Sequence, residues 1–258
     1  KKAVGVVQVA MGKLGFLHRK IYNVLLANAQ EGLKSGETSF TLPVSVIAEL
    51  SGFDSNDRQI LYDHGREMVK TLVEFVDFDG PKKGRRKKNS RGATTLLASF
   101  REFESGHVTY SFSPDMAQLL KEPEQFVWIA LSAQRKFSSK YELSLYENCL
   151  RYIDVGSTGF KDLKDWRGLL GATDATYDEF KHLNSLVLKP TIKGVNEKSG
   201  ILLEPEFERE KRRVARIKFS VKENEQMSLL DYASHKAIRE TSARSCVRSK
   251  RPAPTSWC

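Results

Sequence analysis

The chain has 258 residues, 40% of them hydrophobic and 29% charged, and a formal net charge of +10 at pH 7. That length fits one large domain or two small ones, and the apolar content is enough to bury cores. Three cysteines (Cys149, Cys246, Cys258) without a C-x-x-C pair argue against a disulfide scaffold and a Cys-rich zinc site, and no run approaches the ~20 apolar residues of a membrane span. A cytoplasmic protein with an anionic partner is expected.

Residues 3–12 (AVGVVQVAMG) follow two lysines, but Gln8 and Lys13 interrupt the run, so a strand or extended arm is predicted rather than a signal peptide. An amphipathic helix is expected from Lys13 to Gln30. A short helix follows over Pro43–Leu50, then a turn (Ser51–Ser55) and a longer helix (Asn56–Val73). The same plan recurs: a helix over Ser139–Tyr152, a short helix over Leu163–Leu170, a turn (Gly171–Thr176), and a helix from Tyr177 onward. The repeat leaves a faint trace in the pair IYNVLL (21–26) and LYENCL (145–150). Ser139 with Glu142, and Thr176 with Glu179, fit capping boxes, while Gly52 and Gly171 suit helix stops.

Each half ends in alternating residues. Phe100, Val108, Tyr110 and Phe112 flank the Ser105-Gly106 turn. In the second half, Ile201 and Leu203 face Ile217, Phe219 and Val221. Period 2 marks half-buried strands of a hairpin. The fold class predicted is therefore α+β: two tandem winged-helix domains, each a helix-turn-helix followed by a β-hairpin wing. The expected boundaries are 1–132, 133–222 and a basic tail, 223–258.

The charge supports a phosphate-binding surface. Residues 82–91 (KKGRRKKNSR) hold seven basic and no acidic residues, and residues 236–258 six basic and one acidic. Residues 209–222 hold seven basic and one acidic. Advancing 100° per residue along the helix from Tyr177 places Phe180, Leu183 and Val187 on one stripe. Lys181, His182, Ser185 and Lys189 fall opposite, on a face predicted to carry no large apolar residue, as entry into a major groove requires. Lys181 and Lys189 suit phosphates or guanine edges, and Asn184 and Ser185 suit base edges. Arg209, Lys211, Arg212 and Arg213 form the expected wing tip. Arg216, Lys218 and Lys222 point away from the Ile217/Phe219/Val221 face, ready to follow a backbone. Ser138, Ser139 and Lys140 at a helix N-terminus would suit one more phosphate through free N–H groups.

These residues carry a resemblance. Ser139-Lys-Tyr141 with Leu145-Tyr146, Tyr177-x-x-Phe180, Val187-Leu-Lys-Pro190, Ile192, Asn196 and Ile217-x-Phe219 are similar, in order and spacing over 138–221, to the replication initiator (Rep) family of iteron-type bacterial plasmids. Where that family often carries arginines after the aromatic of its recognition helix, this chain has Asn184, Ser185 and Leu186. Its acid-Ile-Asn ending is here Gly194-Val195-Asn196. The resemblance implies a sequence-specific initiator that binds direct repeats (iterons) as a monomer and dimerises through its first domain in a repressing form. It also implies recruitment of the host initiator and helicase.

In the first domain the equivalent helix is expected to bury Leu61, Met68 and Leu72 and to expose Gln59, Asp63, Arg66 and Lys70, a mixed-sign face suited to dimerisation or backbone contact. Arg85, Arg86, Lys87 and Lys88 of the 82–91 loop would supply phosphate contacts. In the tail, Gln226, Met227, Leu229 and Leu230 lie in a segment (QMSLL) resembling the short peptide that docks on the bacterial sliding clamp.

No enzyme signature emerges. The histidines (His18, His64, His107, His182, His235) are scattered singly, and no G-x-x-x-x-G-K-[ST] occurs. Asp77-Phe-Asp79 lacks a third carboxylate at useful spacing for a two-metal site. No cofactor, metal or membrane is expected. The competing reading is a winged-helix transcriptional repressor that binds an inverted repeat as a dimer.

Overall fold

The computed structural model describes residues 14–54, 57–78, 89–121 and 131–224. It runs α1 (Phe16–Ser35), β1 (Ser39–Pro43), α2 (Val44–Ser51), α3 (Arg58–Lys70), β2 (Leu72–Phe78), β3 (Asn89–Thr95), β4 (Ser99–Phe103), β5 (His107–Ser111) and α4 (Pro114–Lys121). After α5 (Leu131–Lys136) come α6 (Lys140–Leu150), β6 (Lys161–Asp162), α7 (Leu163–Leu170) and a 3₁₀ turn (Ala175–Asp178). One helical run then passes without a break through α8 (Phe180–His182), a π-helical turn (Leu183–Leu188) and α9 (Lys189–Lys198). β7 (Ile201–Glu210) and β8 (Arg213–Glu223) close the chain's described part.

Two three-stranded antiparallel sheets form, in the orders β1-β5-β4 and β6-β8-β7. The duplication thus includes a strand not anticipated from the sequence. In each half a short strand before the helix-turn-helix pairs with the return strand of the hairpin, Phe40 opposite Tyr110 and Lys161 opposite Ile217. β2 and β3 make a further ribbon, Leu72 pairing with Thr95.

Alternation places the inward residues as predicted. Val108, Tyr110, Phe112, Ile201, Leu203, Ile217, Phe219 and Val221 are all buried. One core gathers Ile21, Leu25, Ile47, Leu61, Met68 and Tyr110, and extends to Leu131. The other begins at Ala133 and gathers Leu145, Tyr146, Trp166, Leu183, Val187 and Phe219. Trp166 locks α7 to the wing by stacking edge-on against Phe219 at 4.8 Å and donating its Nε1–H to the Ile217 carbonyl, 3.0 Å. Gly65 lets α3 cross Phe100, since a Cβ there would overlap the ring.

The two cores meet across a polar seam. Arg19 of α1 pairs with Glu147 of α6 and donates to Ser144, 2.6 Å. Asn23 donates to Gln134 and Glu147 (2.7 and 2.9 Å), and Lys20 donates to the Phe137 carbonyl, 2.9 Å. All these side chains are buried. Burial presses the Lys20 ammonium below its ordinary pKa, against the pull of Glu142 and with the push of Lys198.

Helix ends follow the sequence in three places and depart from it elsewhere, α1 running on to Ser35 instead of Gln30 and the helix expected from Tyr177 starting at Phe180. Gly52 and Gly171 adopt the left-handed conformation (φ 76° and 69°) and stop α2 and α7. Ser139 caps α6, accepting the Glu142 N–H at 3.1 Å. The Thr176/Glu179 box does not form. Asp174 is the cap, accepting from Thr176 N–H, and those hydrogen bonds hold its carboxyl below the usual range. Glu179 precedes α8 with no side-chain cap. α3 ends at Lys70, not Val73, because Leu72 and Val73 join β2; Leu72 is exposed there, not buried.

Candidate nucleic-acid interface

The helical run from Phe180 to Lys198 is seated by Leu183, Val187 and Leu188, all fully buried, while Phe180 is half-buried. Phe180 meets Phe207 of the wing edge-on at 5.4 Å, which couples the helix to the hairpin. At the far end Asn196 clamps the helix to β7. Its Nδ2 donates to the Leu203 carbonyl (3.1 Å) and its Oδ1 accepts the Leu203 N–H (2.8 Å), as a neighbouring strand would. Helix and wing therefore move as one body.

Lys181, Ser185 and Lys189 are exposed on this helix, with His182 and Asn184 half-buried beside them. The Ser185 hydroxyl donates back to the Lys181 carbonyl, 2.9 Å, which leaves it an acceptor toward an outside partner. His182 Nδ1 lies 3.9 Å from the Glu179 carboxylate. The predicted absence of a large apolar residue on this face is overturned: Leu186 is 59% exposed. The cause is the π turn. Its wider coil advances each residue by less than the 100° of an α-helix, so a wheel drawn at 100° places Leu186 too close to the core stripe.

The wing projects beyond the core, with residues 206–213 all exposed. A bulge between Glu208 and Arg209 pairs Glu208 with Arg216 and Arg209 with Val214, leaving Ala215 extra. That extra residue lets Val214 and Ile217, three apart, both face inward. Arg216, Lys218 and Lys222 do face away from the core, but each meets an acid across the ladder. Arg216 pairs with Glu208 (3.0 Å), Lys218 with Glu206 (2.8 Å) and Lys222 with Glu204 (3.2 Å). Sequence reasoning missed these partners. Glu204, Glu206 and Glu208 alternate visibly in the sequence, but only the register shows which cation each one meets. Arg209, Lys211, Arg212 and Arg213 have no ion-pair partner among the described residues, so the free positive charge sits at the tip. Lys211 holds the turn at φ 58°.

Ser138, Ser139 and Lys140 do lie at the start of α6, but the groups there are engaged internally. The Ser138 N–H donates to the Glu142 carboxylate at 2.8 Å, Lys198 donates to the same carboxylate at 2.9 Å, and Lys140 donates to the Gly171 carbonyl at 3.2 Å. The Glu142 carboxylate thus takes up the Ser138 N–H and the Lys198 ammonium.

On α3, Gln59, Arg66 and Lys70 are exposed and Asp63 half-buried. Arg66 pairs with Asp63 at 3.7 Å and Lys70 with Glu67 at 3.1 Å, so the mixed-sign face is largely self-compensated. Arg85, Arg86, Lys87 and Lys88, residues 3–12, Asp79, and the tail residues Gln226, Met227, Leu229 and Leu230 lie outside the described residues. Among the described residues no three His, Cys, Asp or Glu side chains are grouped to hold a metal ion, and no helix is long and apolar enough to cross a membrane.

Residues 1–150 match the family model described as initiator replication protein, WH1, and residues 162–221 match initiator Rep protein, WH2. Among solved structures, the Pi initiator protein in complex with iteron DNA superposes with a TM-score of 0.64 at 14% identity, over 85% of this chain and 95% of that one. Two structures of domains 2 and 3 of RctB superpose with TM-scores of 0.51 at 12% identity. They cover 85% and 83% of this chain, and 82% and 84% of theirs. No curated protein sequence matches the chain.

Proposed function

The chain belongs to the initiator Rep proteins, and from that premise we propose that it starts plasmid replication by binding direct repeats in double-stranded origin DNA. The observation that carries this reading is the joined surface of the second domain. An exposed helix bearing Lys181, Ser185 and Lys189 is coupled through Phe180 and Phe207 to a wing whose tip holds four cations without an ion-pair partner among the described residues. A helix of this kind reads base edges in the major groove while the wing tip meets phosphates or the minor groove. The fold shared with the Pi initiator, solved on iteron DNA, supports the same reading.

In this proposal, residues 133–222 carry sequence recognition, residues 1–132 carry backbone contacts and dimerisation, and 223–258 form a basic tail. Binding several repeats and deforming the duplex lowers the cost of opening the origin. A homodimer in a repressing form, the host initiator and helicase, and the sliding clamp engaged through Gln226–Leu230 complete the set of proposed partners.

Selection of bound duplexes from random DNA, followed by footprinting, tests the reading. An asymmetric site on the order of two helical turns supports both domains reading one direct repeat. A palindrome occupied by a dimer would instead make the protein a repressor.

A further inference from the structure

Leu186 is unlike the rest of the reading surface. It stands between Ser185 and the fully buried Val187, one turn from His182 and from Lys189, with 59% of its surface open to solvent. The backbone beneath it is held by Leu183, Val187 and Leu188, so its position on the π turn is set by the core. The neighbouring Ser185 has turned its hydroxyl proton inward to the Lys181 carbonyl. This side of the helix therefore presents one large apolar group beside Ser185, His182 and Lys189.

An isolated leucine is too small to dock a protein, which needs a contiguous patch of several hundred Å². The other large exposed apolar residues of this domain, Val155, Phe160, Leu202 and Phe207, lie on other elements. One apolar side chain does match one feature of the major groove, the 5-methyl group of thymine. We propose that Leu186 reads thymine: its isobutyl group packs on a 5-methyl in the major groove and specifies an A·T pair at that position. Lys181 and Lys189, toward the two ends of the same face, hold the helix in register.

This inference rests on the DNA-binding reading above, and one experiment separates the two. Each thymine in the best-bound duplex recovered from a random pool is replaced in turn by deoxyuridine, which removes only the 5-methyl. The parent and Leu186→Ala are titrated with every duplex. The parent is expected to lose affinity by roughly fourfold at one position, the worth of one buried methyl. Leu186→Ala should be indifferent at that position and should match the parent's response at all others. Its salt dependence should equal the parent's, which shows that helix and wing remain seated. Parallel responses of parent and variant at every position, or no response to any uracil, overturn the thymine contact while leaving DNA binding intact. Failure to recover any specific duplex overturns both.

Discussion

Replacing Arg212 at the wing tip and Lys218 on the wing's outer face should have different consequences, although the sequence offers both as phosphate contacts. Arg212 has no ion-pair partner among the described residues, whereas Lys218 Nζ sits 2.8 Å from a Glu206 carboxylate oxygen. A cation that neutralises one phosphate contributes about 0.9 to the slope of log K against log salt. Arg212→Ala should therefore flatten the slope by about 0.9, which removes roughly 3.5-fold of the affinity change between 50 and 200 mM salt. Lys218→Ala should leave the slope unchanged, because the charge it removes is already balanced by Glu206. Its cost falls on the fold, at about 0.2–1 kcal/mol for an exposed pair. Fluorescence anisotropy of a labelled duplex over a salt series measures both slopes, and urea unfolding measures the stability. Equal flattening by the two variants would refute the idea that the ladder withholds its cations from DNA. An unchanged slope for Arg212→Ala would remove the tip from the interface.

Further outcomes follow from the packing. Gly65→Ala should destabilise by about 1–3 kcal/mol through overlap with Phe100, and adding Phe100→Ala should recover part of that loss in a double-mutant cycle by thermal denaturation. Asn196→Ala strands the Leu203 N–H and carbonyl and should cost about 1–3 kcal/mol in urea unfolding, while Asn196→Asp should restore only the acceptor half. Glu147→Ala leaves the Arg19 guanidinium buried without its partner and should cost about 3–5 kcal/mol, whereas replacing both residues by apolar ones should be nearly neutral; a loss below about 1 kcal/mol would show that water enters the seam. Burial, with a further push from His18 at 2.9 Å and against the pull of Asp63, presses the His64 imidazole down to about 4. Because the unfolded imidazole takes its proton near 6.5 and the folded one only near 4, stability should be full above pH 6.5 and decline as pH falls toward 4. His64→Gln should flatten that decline in a stability–pH profile.

Much of the architecture was open to inspection in the chain itself. Alternation in the hairpins, left-handed glycines after α2 and α7, and the Ser139 cap are local signals, and local physics decides them. The strand β6 was hidden because Lys161–Asp162 is too short to display a period, while in β1 the alternation of Phe40 and Leu42 is present but covers only two inward residues. Only their pairing with Tyr110 and Ile217 makes them strands. At the interface, residue identity was legible and state was not. Lys218 is visibly basic, but its neutralisation by Glu206 depends on a register set by the whole sheet. Ser138 and Ser139 stand visibly at a helix start, but that Glu142 accepts the Ser138 N–H and draws in Lys198 depends on the fold. Leu186 escaped because the wheel assumed α geometry, and no residue type announces a π turn.

That π turn also bears on how the chain tolerates changes in length. A π turn spends one residue more than an α-helix needs to cover the same rise, and it arises formally as an insertion into a regular helix. Deleting one residue between Leu183 and Leu188 would therefore let the helix close as a plain α-helix, whereas the same deletion in α9 would turn everything beyond it by about 100°. Closing the π turn would leave the Lys181 and Lys189 ends in nearly the same phase, because the residue removed is the one that the wider turn absorbs. The Phe180–Phe207 anchor and the Asn196 clamp could then both be kept. Within this helix, a single-residue deletion in the π turn should therefore spare both the backbone and the phase between Lys181 and Lys189.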